Sequence, residues 1–246
     1  MTTRQWHELI RPVLPHASGD SEVPEICVVR FEGTGGIVYA AATDRYTLAA
    51  TRLVLDSPAG EPFAVHIDKG DAAASLKLFA HGKDSDPKLR ITVDKVPVPV
   101  NDRGDTIRSL GVAIESDDGT RLVIRDRPGA LGGWRKTLGA LVNRDLAPAA
   151  DRLLLMPGQL GRWAAAATKG ERLTVLAGPD MGDPILILAE DHFADAWMPA
   201  NHIDGDSEDL LAGLPWRREL APDRSAEFDP STGERLAPAG EVRADA

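Results

Sequence analysis

The chain has 246 residues, 43% of them hydrophobic and 27% charged, and carries a formal net charge of -10. These values suit one large globular domain or two small ones; they exclude a protein held to nucleic acid mainly by a broad basic surface, but not a basic strip on an acidic body. No apolar run approaches the ~20 residues that cross a bilayer, the first residues lack a basic-then-apolar leader pattern, and the single cysteine, Cys27, permits neither an internal disulfide nor a multi-cysteine zinc site, so a reducing cytoplasm is the expected setting.

Residues 3–17, TRQWHELIRPVLPHA, put Trp6, Leu9, Ile10 and Val13 on one helical face. ICVVRFEG (26–33) and GIVYAAATD (36–44) read as antiparallel strands joined by the glycine-rich turn EGTGG, and TLAATRLVL (47–55) as a third strand. Cys27, inside the first strand-like run, is expected to be a buried, inert thiol. Only Asp44, Arg45 and Tyr46 remain for the bend between the second and third strands. Aspartate suits such a bend because its carboxylate bonds nearby backbone amides. A catalytic Asp44 would need a second carboxylate or a histidine in support, and His7, His16 and His66 stand at no recognisable spacing from it.

A similar unit follows. Phe63–Ile67 is an apolar strand, Asp68 can cap a helix carrying Ala72, Leu76 and Phe79 at helical spacing, Gly82 is expected to end that helix, and strands follow at 88–93 and around Ile107–Ile114. A third unit starts with a strand at Arg152–Met156. Pro157 then suits a first helical turn, Leu160, Trp163 and Ala167 share a face, Gly170 ends the helix, and strands lie at 172–178 and 184–190. EDHFAD (190–195) offers weak metal ligands at no standard spacing, so a solvated turn is expected there. The repeated helix-plus-strands order predicts an α+β protein with antiparallel sheets. There is no phosphate-binding loop, no nucleophile elbow and no H-E-x-x-H. From Ile203 on, eleven acids and five arginines contribute -6, leaving -4 for the rest; this Pro- and Gly-rich tail is expected to be mostly disordered. Its one apolar island, LLAGLPWRREL, reads either as a segment packing back on the body or as a linear partner motif.

Three stretches carry a resemblance to bacterial sliding clamps, the β subunit of DNA polymerase III. VYAAATDRYTLAATRL (38–53) resembles their A-T-D-x-x-R-L-A hairpin, with Thr47 where arginine is usual. DPILILAEDHFADAWMPANHI (183–203) is similar to their last strands, with Asn201 replacing an arginine. GTRLVIRDRPGALGGWRKTL (119–138) looks like a decayed form of a strand and loop of theirs, kept loosely at Arg121, Leu122, Ile124 and Trp134. The resemblance implies a sliding-clamp fold with one full and one partial domain: residues 1–146 resembling the middle clamp domain, 147–203 the last half of the third, and 204–246 an acidic tail.

The resemblance further implies a non-enzymatic scaffold that needs no cofactor and no metal. Its implied partners are double-stranded DNA held through its backbone, peptides of DNA polymerase or other replication proteins, and further copies of the chain; no membrane is implied. Helix-borne Arg4, Arg11, Lys69, Lys77, Lys83, Arg162 and Lys169 would face DNA. Thr43, Arg45, Tyr46, Thr47 and Leu48 from the bend, with Ala196, Met198 and Pro199 from the last strand, would wall a peptide pocket. Arg45 and Tyr46 enlarge and charge a place where smaller groups are usual. Two functions follow: a clamp-like processivity factor for DNA replication or repair that surrounds or holds duplex DNA, or an adaptor of clamp fold that binds peptides without encircling DNA. An unrecognised hydrolase using Asp44 or the acids near His192 has no supporting constellation.

Overall fold

The structure, a computed structural model, describes residues 1–56, 60–83, 85–99, 106–127, 129–144, 146–148, 161–167, 170–177, 184–197, 216 and 219. Helix α1 (Thr3–Ile10) starts at a reciprocal cap: the Gln5 amide donates to the Thr2 hydroxyl and the Thr2 amide to the Gln5 side chain. It stops before Pro12, which has no amide proton to continue the helix, and a short 3-10 turn at Leu14–His16 follows. Strands β1 (Val28–Thr34) and β2 (Ile37–Thr43) form the expected hairpin. Its turn residues Gly35 and Gly36 take φ of 59° and 85°, a left-handed pair natural to glycine. Strand β3 (Thr47–Val54) follows the bend, and β4 (Phe63–Asp68) returns to pair with β1.

Asp68 caps helix α2 (Lys69–Leu78) by accepting from the Gly70 amide. The helix ends at Leu78, earlier than Gly82: Phe79 leaves helical geometry so that its ring can enter the core, where it is 3% exposed. Strands β5 (Leu89–Pro99), β6 (Thr106–Ser116) and β7 (Arg121–Arg125) make a three-stranded antiparallel sheet. Then comes an element the sequence reading lacks, helix α3 (Trp134–Val142), entered through a 3-10 turn at Leu131–Gly133. The expected strand at 152–156 and the Pro157 cap lie outside the described residues; residues 161–163 are helical, as expected of that unit. Strands β8 (Ala147–Pro148), β9 (Leu173–Ala177), β10 (Ile185–Ala189) and β11 (Phe193–Trp197) complete the described chain.

Among the described residues these strands form one sheet of eight, ordered β4-β1-β2-β3-β11-β10-β9-β8, and the sheet of three. The large sheet crosses from the first unit to the last at β3–β11, where Thr47 to Thr51 pair antiparallel with Trp197 to Phe193. Alternation along each strand gives the large sheet two buried faces. On one face α1, α2 and the three-stranded sheet enclose Trp6, Leu9, Ile10, Phe31, Val65 and Ile67. On the other, α3 packs Trp134, Leu138 and Leu141 onto Tyr39, Ala50, Leu186 and Ala194. Cys27 is only half-buried: it precedes β1 rather than lying in it, and its thiol donates to the Asp20 carbonyl at 3.1 Å.

Candidate functional site

The bend at Asp44–Tyr46 contains no glycine, yet Arg45 takes φ 79°. A left-handed bulky residue persists only where its surroundings over-determine it. Here they do. The Asp44 Oδ1 atom accepts from the Tyr46 amide at 3.0 Å, the Thr47 amide at 2.8 Å and the Thr47 hydroxyl at 3.0 Å. The Thr43 hydroxyl donates to the Thr47 carbonyl at 2.5 Å and accepts from the Arg45 amide at 3.2 Å. The other carboxylate oxygen of Asp44 accepts from Arg162 at 2.6 Å. Burial pushes the Asp44 pKa up, but the hydrogen bonds from Arg162 and Thr47 outweigh it and hold the carboxyl below its ordinary range.

Behind the bend, on the face that packs against α1, lies a polar cluster that spacing alone did not reveal. His16 is fully buried and its Nδ1 sits 3.0 Å from the Thr47 hydroxyl oxygen. Asp195 on β11, also fully buried, accepts from the Trp163 indole at 2.8 Å and comes within 3.6 Å of His16 Nδ1. Burial, helped by the Arg162 charge and opposed by Asp44, lowers the His16 pKa to about 3. Burial raises that of Asp195 to about 7, against the Trp163 hydrogen bond and the Arg162 charge.

Donor counting fixes the protons. The Thr47 hydroxyl owns one hydrogen, and Asp44, an acceptor only, receives it. Arg162, a donor only, gives to the same oxygen at 3.1 Å, so the His16 contact must also be a donation, from Nδ1–H. That oxygen therefore has no lone pair left for attack, and His16 presents no base to it. Thr47 is 2% exposed and His16 and Asp195 are sealed, so the cluster is built to hold the bend and cannot reach a substrate.

On the opposite face of the same strands a concavity of about 470 Å³ opens beside the bend. Thr43, Arg45, Tyr46, Thr47, Leu48 and Ala196 all line it, so the structure brings these expected pocket residues together; Met198 and Pro199 lie outside the described residues. β3–β11 pairing is the cause, since it sets Leu48 opposite Ala196. The far wall comes from residues that sequence reasoning missed: Leu131, Gly133, Trp134, Thr137 and Leu141, with Ala130 and Pro184 at its edges. The usable signal was the spacing of Trp134, Leu138, Leu141 and Val142, one helical stripe. Tyr46, 66% exposed, stands at the rim.

The expected DNA-facing residues separate into two groups. Arg11, Lys77 and Lys83 are exposed beside or on the paired helices α1 and α2. Arg4, also exposed, lies 4.0 Å from the Asp86 carboxylate, and the Lys69 ammonium donates to the Ala17 carbonyl at 2.5 Å. Arg162 is engaged by Asp44 and Thr47, while Lys169 lies outside the described residues. Where the resemblance leads one to expect an arginine at 47, a guanidinium is thus delivered onto Thr47 from another part of the chain. Of EDHFAD, expected as a solvated turn, only residues 190–192 form the turn between β10 and β11, with Glu190 at φ 43°; residues 193–195 begin β11 and are buried, because that strand pairs into the large sheet. Ligand atoms of Glu190, His192 and Glu171 lie within 4.8 Å of one another. Of the apolar tail island, Trp216 and Glu219 are described, and they pack back on the body. Trp216 is fully buried beside Tyr39, and Glu219 accepts from the Tyr39 hydroxyl at 2.8 Å and from Arg52 Nε at 2.8 Å. Among the described residues no helix is long and apolar enough to cross a membrane.

No family model matches the chain, and no curated protein matches it in sequence. Solved structures do match its fold. The DNA polymerase III beta subunit of Thermotoga maritima superposes with a TM-score of 0.56 at 11% identity, over 82% of this chain and 65% of that one. The DNA polymerase III subunit beta of Pseudomonas aeruginosa gives 0.57 at 11% identity, with the same coverages. A sliding clamp of P. aeruginosa bound to griselimycin gives 0.57 at 12% identity, over 82% and 64%. The chain therefore has the sliding-clamp fold and spans a little under two thirds of the length of these clamps.

Proposed function

We propose that the chain is a clamp-type, non-catalytic scaffold of DNA replication or repair that binds an apolar peptide of a DNA polymerase or another replication protein in the cavity between the bend, β11 and α3. One observation carries this reading: a cavity walled by Leu48, Leu131, Trp134 and Leu141 and rimmed by Arg45 and Tyr46, at the junction of two units of a sliding-clamp fold. Apolar walls of this kind accept leucine and phenylalanine anchors, while the exposed Arg45 and Tyr46 favour a partner with an acidic or aromatic neighbour to the anchor. The P. aeruginosa clamp solved bound to griselimycin supports the general idea that a protein of this fold takes a bound ligand.

Two arrangements of this scaffold remain in play. A processivity factor would surround or hold duplex DNA, with Arg11, Lys77 and Lys83 meeting phosphates without reading bases, as several copies of the chain. An adaptor would bind peptides alone. The second is favoured by the number of candidate cations already used inside the protein, Lys69 and Arg162 above all. The deciding experiment pairs two assays on the full chain. Anisotropy of a fluorescein-labelled peptide with adjacent leucine and phenylalanine should show binding that Leu48→Asp abolishes; equal affinity of that variant would refute the pocket. Retention on nicked circular but not linear DNA would establish a ring, and loss from both would leave the adaptor.

A further inference from the structure

The cavity has an unusual support. Its near edge is the bend, and the bend's shape depends on a residue that does not line the cavity. Arg162, 118 positions away from Asp44 in sequence, bonds the one carboxylate oxygen that the bend's own backbone does not use. We propose that Arg162 is a positioning residue for the peptide pocket: acting through Asp44, it fixes the bend that presents Arg45, Tyr46 and Leu48, and so sets peptide affinity without touching the peptide. The inference rests on the pocket reading above, but its physical part stands apart from it.

Three features make the dependence strong. First, the left-handed Arg45 is not self-supporting, and its neighbours Tyr46 and Thr47 are tied through Asp44 Oδ1. Second, Asp44 is mostly buried, its side chain 14% exposed, and Asp195 lies close behind. Without Arg162 the carboxylate would be left uncompensated next to another acid and would swing toward water, taking both amide contacts with it. Third, Arg162 is itself held. The adjacent Trp163 is 4% exposed and donates to Asp195, whose strand pairs directly with the strand that leaves the bend. The guanidinium is therefore delivered by the last unit to the first across the seam, and the cavity edge reports whether the two are correctly joined.

The test uses the full chain and two readouts, amide hydrogen exchange by NMR and anisotropy of the same leucine–phenylalanine peptide. Arg162→Ala should speed exchange at Tyr46 and Thr47 while leaving Ile185–Ala189 protected, and should weaken the peptide about tenfold, the scale of one lost charge-assisted contact. Arg162→Lys, which keeps the charge, should recover most of both. Faster exchange throughout Ile185–Ala189 would mean that Arg162 supports the fold at large, and would overturn the proposal. So would unchanged exchange at the bend, or an affinity that stays at the wild-type value while the bend loosens. A wild-type protein that binds no such peptide would instead defeat the pocket reading, and the exchange rates would still decide whether Arg162 holds the bend.

Discussion

The two faces of the large sheet are assembled by different means. The face under α1 and α2 is apolar over most of its area and draws mainly on the first half of the chain, with Trp6, Leu9 and Ile10 from one helix, Phe31 from β1, Val65 and Ile67 from β4 and Val112, Ile114 and Ile124 from the small sheet; the last unit adds Ala166, Ala189 and Phe193. The face under α3 draws on Tyr39, Trp134, Leu186 and Trp216, which span nearly the whole chain, and it mixes aromatic rings with charge. There Arg135 lies 4.0 Å over the Tyr39 ring, and Glu219 joins Tyr39 to Arg52. A face made of local amphipathic pieces can form as each piece forms. A face made of distant pieces exists only once the seam between β3 and β11 has closed. The candidate pocket lies on the second face, so it should be the more conditional part of the molecule.

Tryptophan truncation measures that difference most directly. Trp6 is fully buried and its indole donates to Ser75 at 3.1 Å, so Trp6→Ala should cost about 4–5 kcal/mol in urea unfolding, the upper part of the range for core aromatics. Trp216 is equally buried, but its indole nitrogen finds no hydrogen-bond partner among the described residues; Trp216→Ala should cost less, about 3 kcal/mol, because a donor without such a partner leaves with the ring. A larger loss at Trp216 than at Trp6 would reverse the ranking of the two faces.

A pH titration sharpens the comparison at the cluster behind the bend. Asp195 has its folded pKa raised, to about 7, so its contribution is fully present below the ordinary aspartate value and is lost as pH rises through about 7. His16 has its folded pKa lowered, to about 3, so its burial favours folding above the ordinary histidine value and the benefit is lost as pH falls toward 3. Between roughly pH 4 and 6.5 the two slopes oppose each other. Wild-type stability should therefore change little there on their account, whereas Asp195→Asn should become steadily more stable with rising pH over the same window. A flat profile for that variant in chemical denaturation would contradict the burial of His16. The smallest effect concerns the bend itself: Arg45→Gly relieves the left-handed residue and should change stability by under about 1 kcal/mol, in the stabilising direction if the Asp44 bonds persist.

The same contrast explains what could be read from the sequence. The strands, the glycine turn and the helix faces of the first two units were legible because period-2 and period-3.6 patterns are local, and Asp44 and Asp68 advertised a bend and a cap. The α3 helix was obscured by Gly132, Gly133 and Gly139, which make its segment look like a loop although Trp134, Leu138 and Leu141 share one side. The near wall of the cavity became visible through a family resemblance in the Ala-Thr-Asp bend, while its far wall did not. Nothing local marks His16, Thr47, Arg162 and Asp195 as neighbours; only the seam register, with Asp195 opposite Ala49, brings them together. Glycine spacing also misplaced the end of α2, because the entry of Phe79 into the core, and not Gly82, decides it.

The seam has one more implication. Its five residue pairs are joined through main-chain amides and carbonyls, groups that every residue other than proline supplies alike. Side chains along it can therefore be exchanged over generations without breaking the join, provided the residues pointing to each face stay small or suitably shaped. A junction of that kind lets amino-acid identity erode almost completely while the architecture it closes is inherited intact.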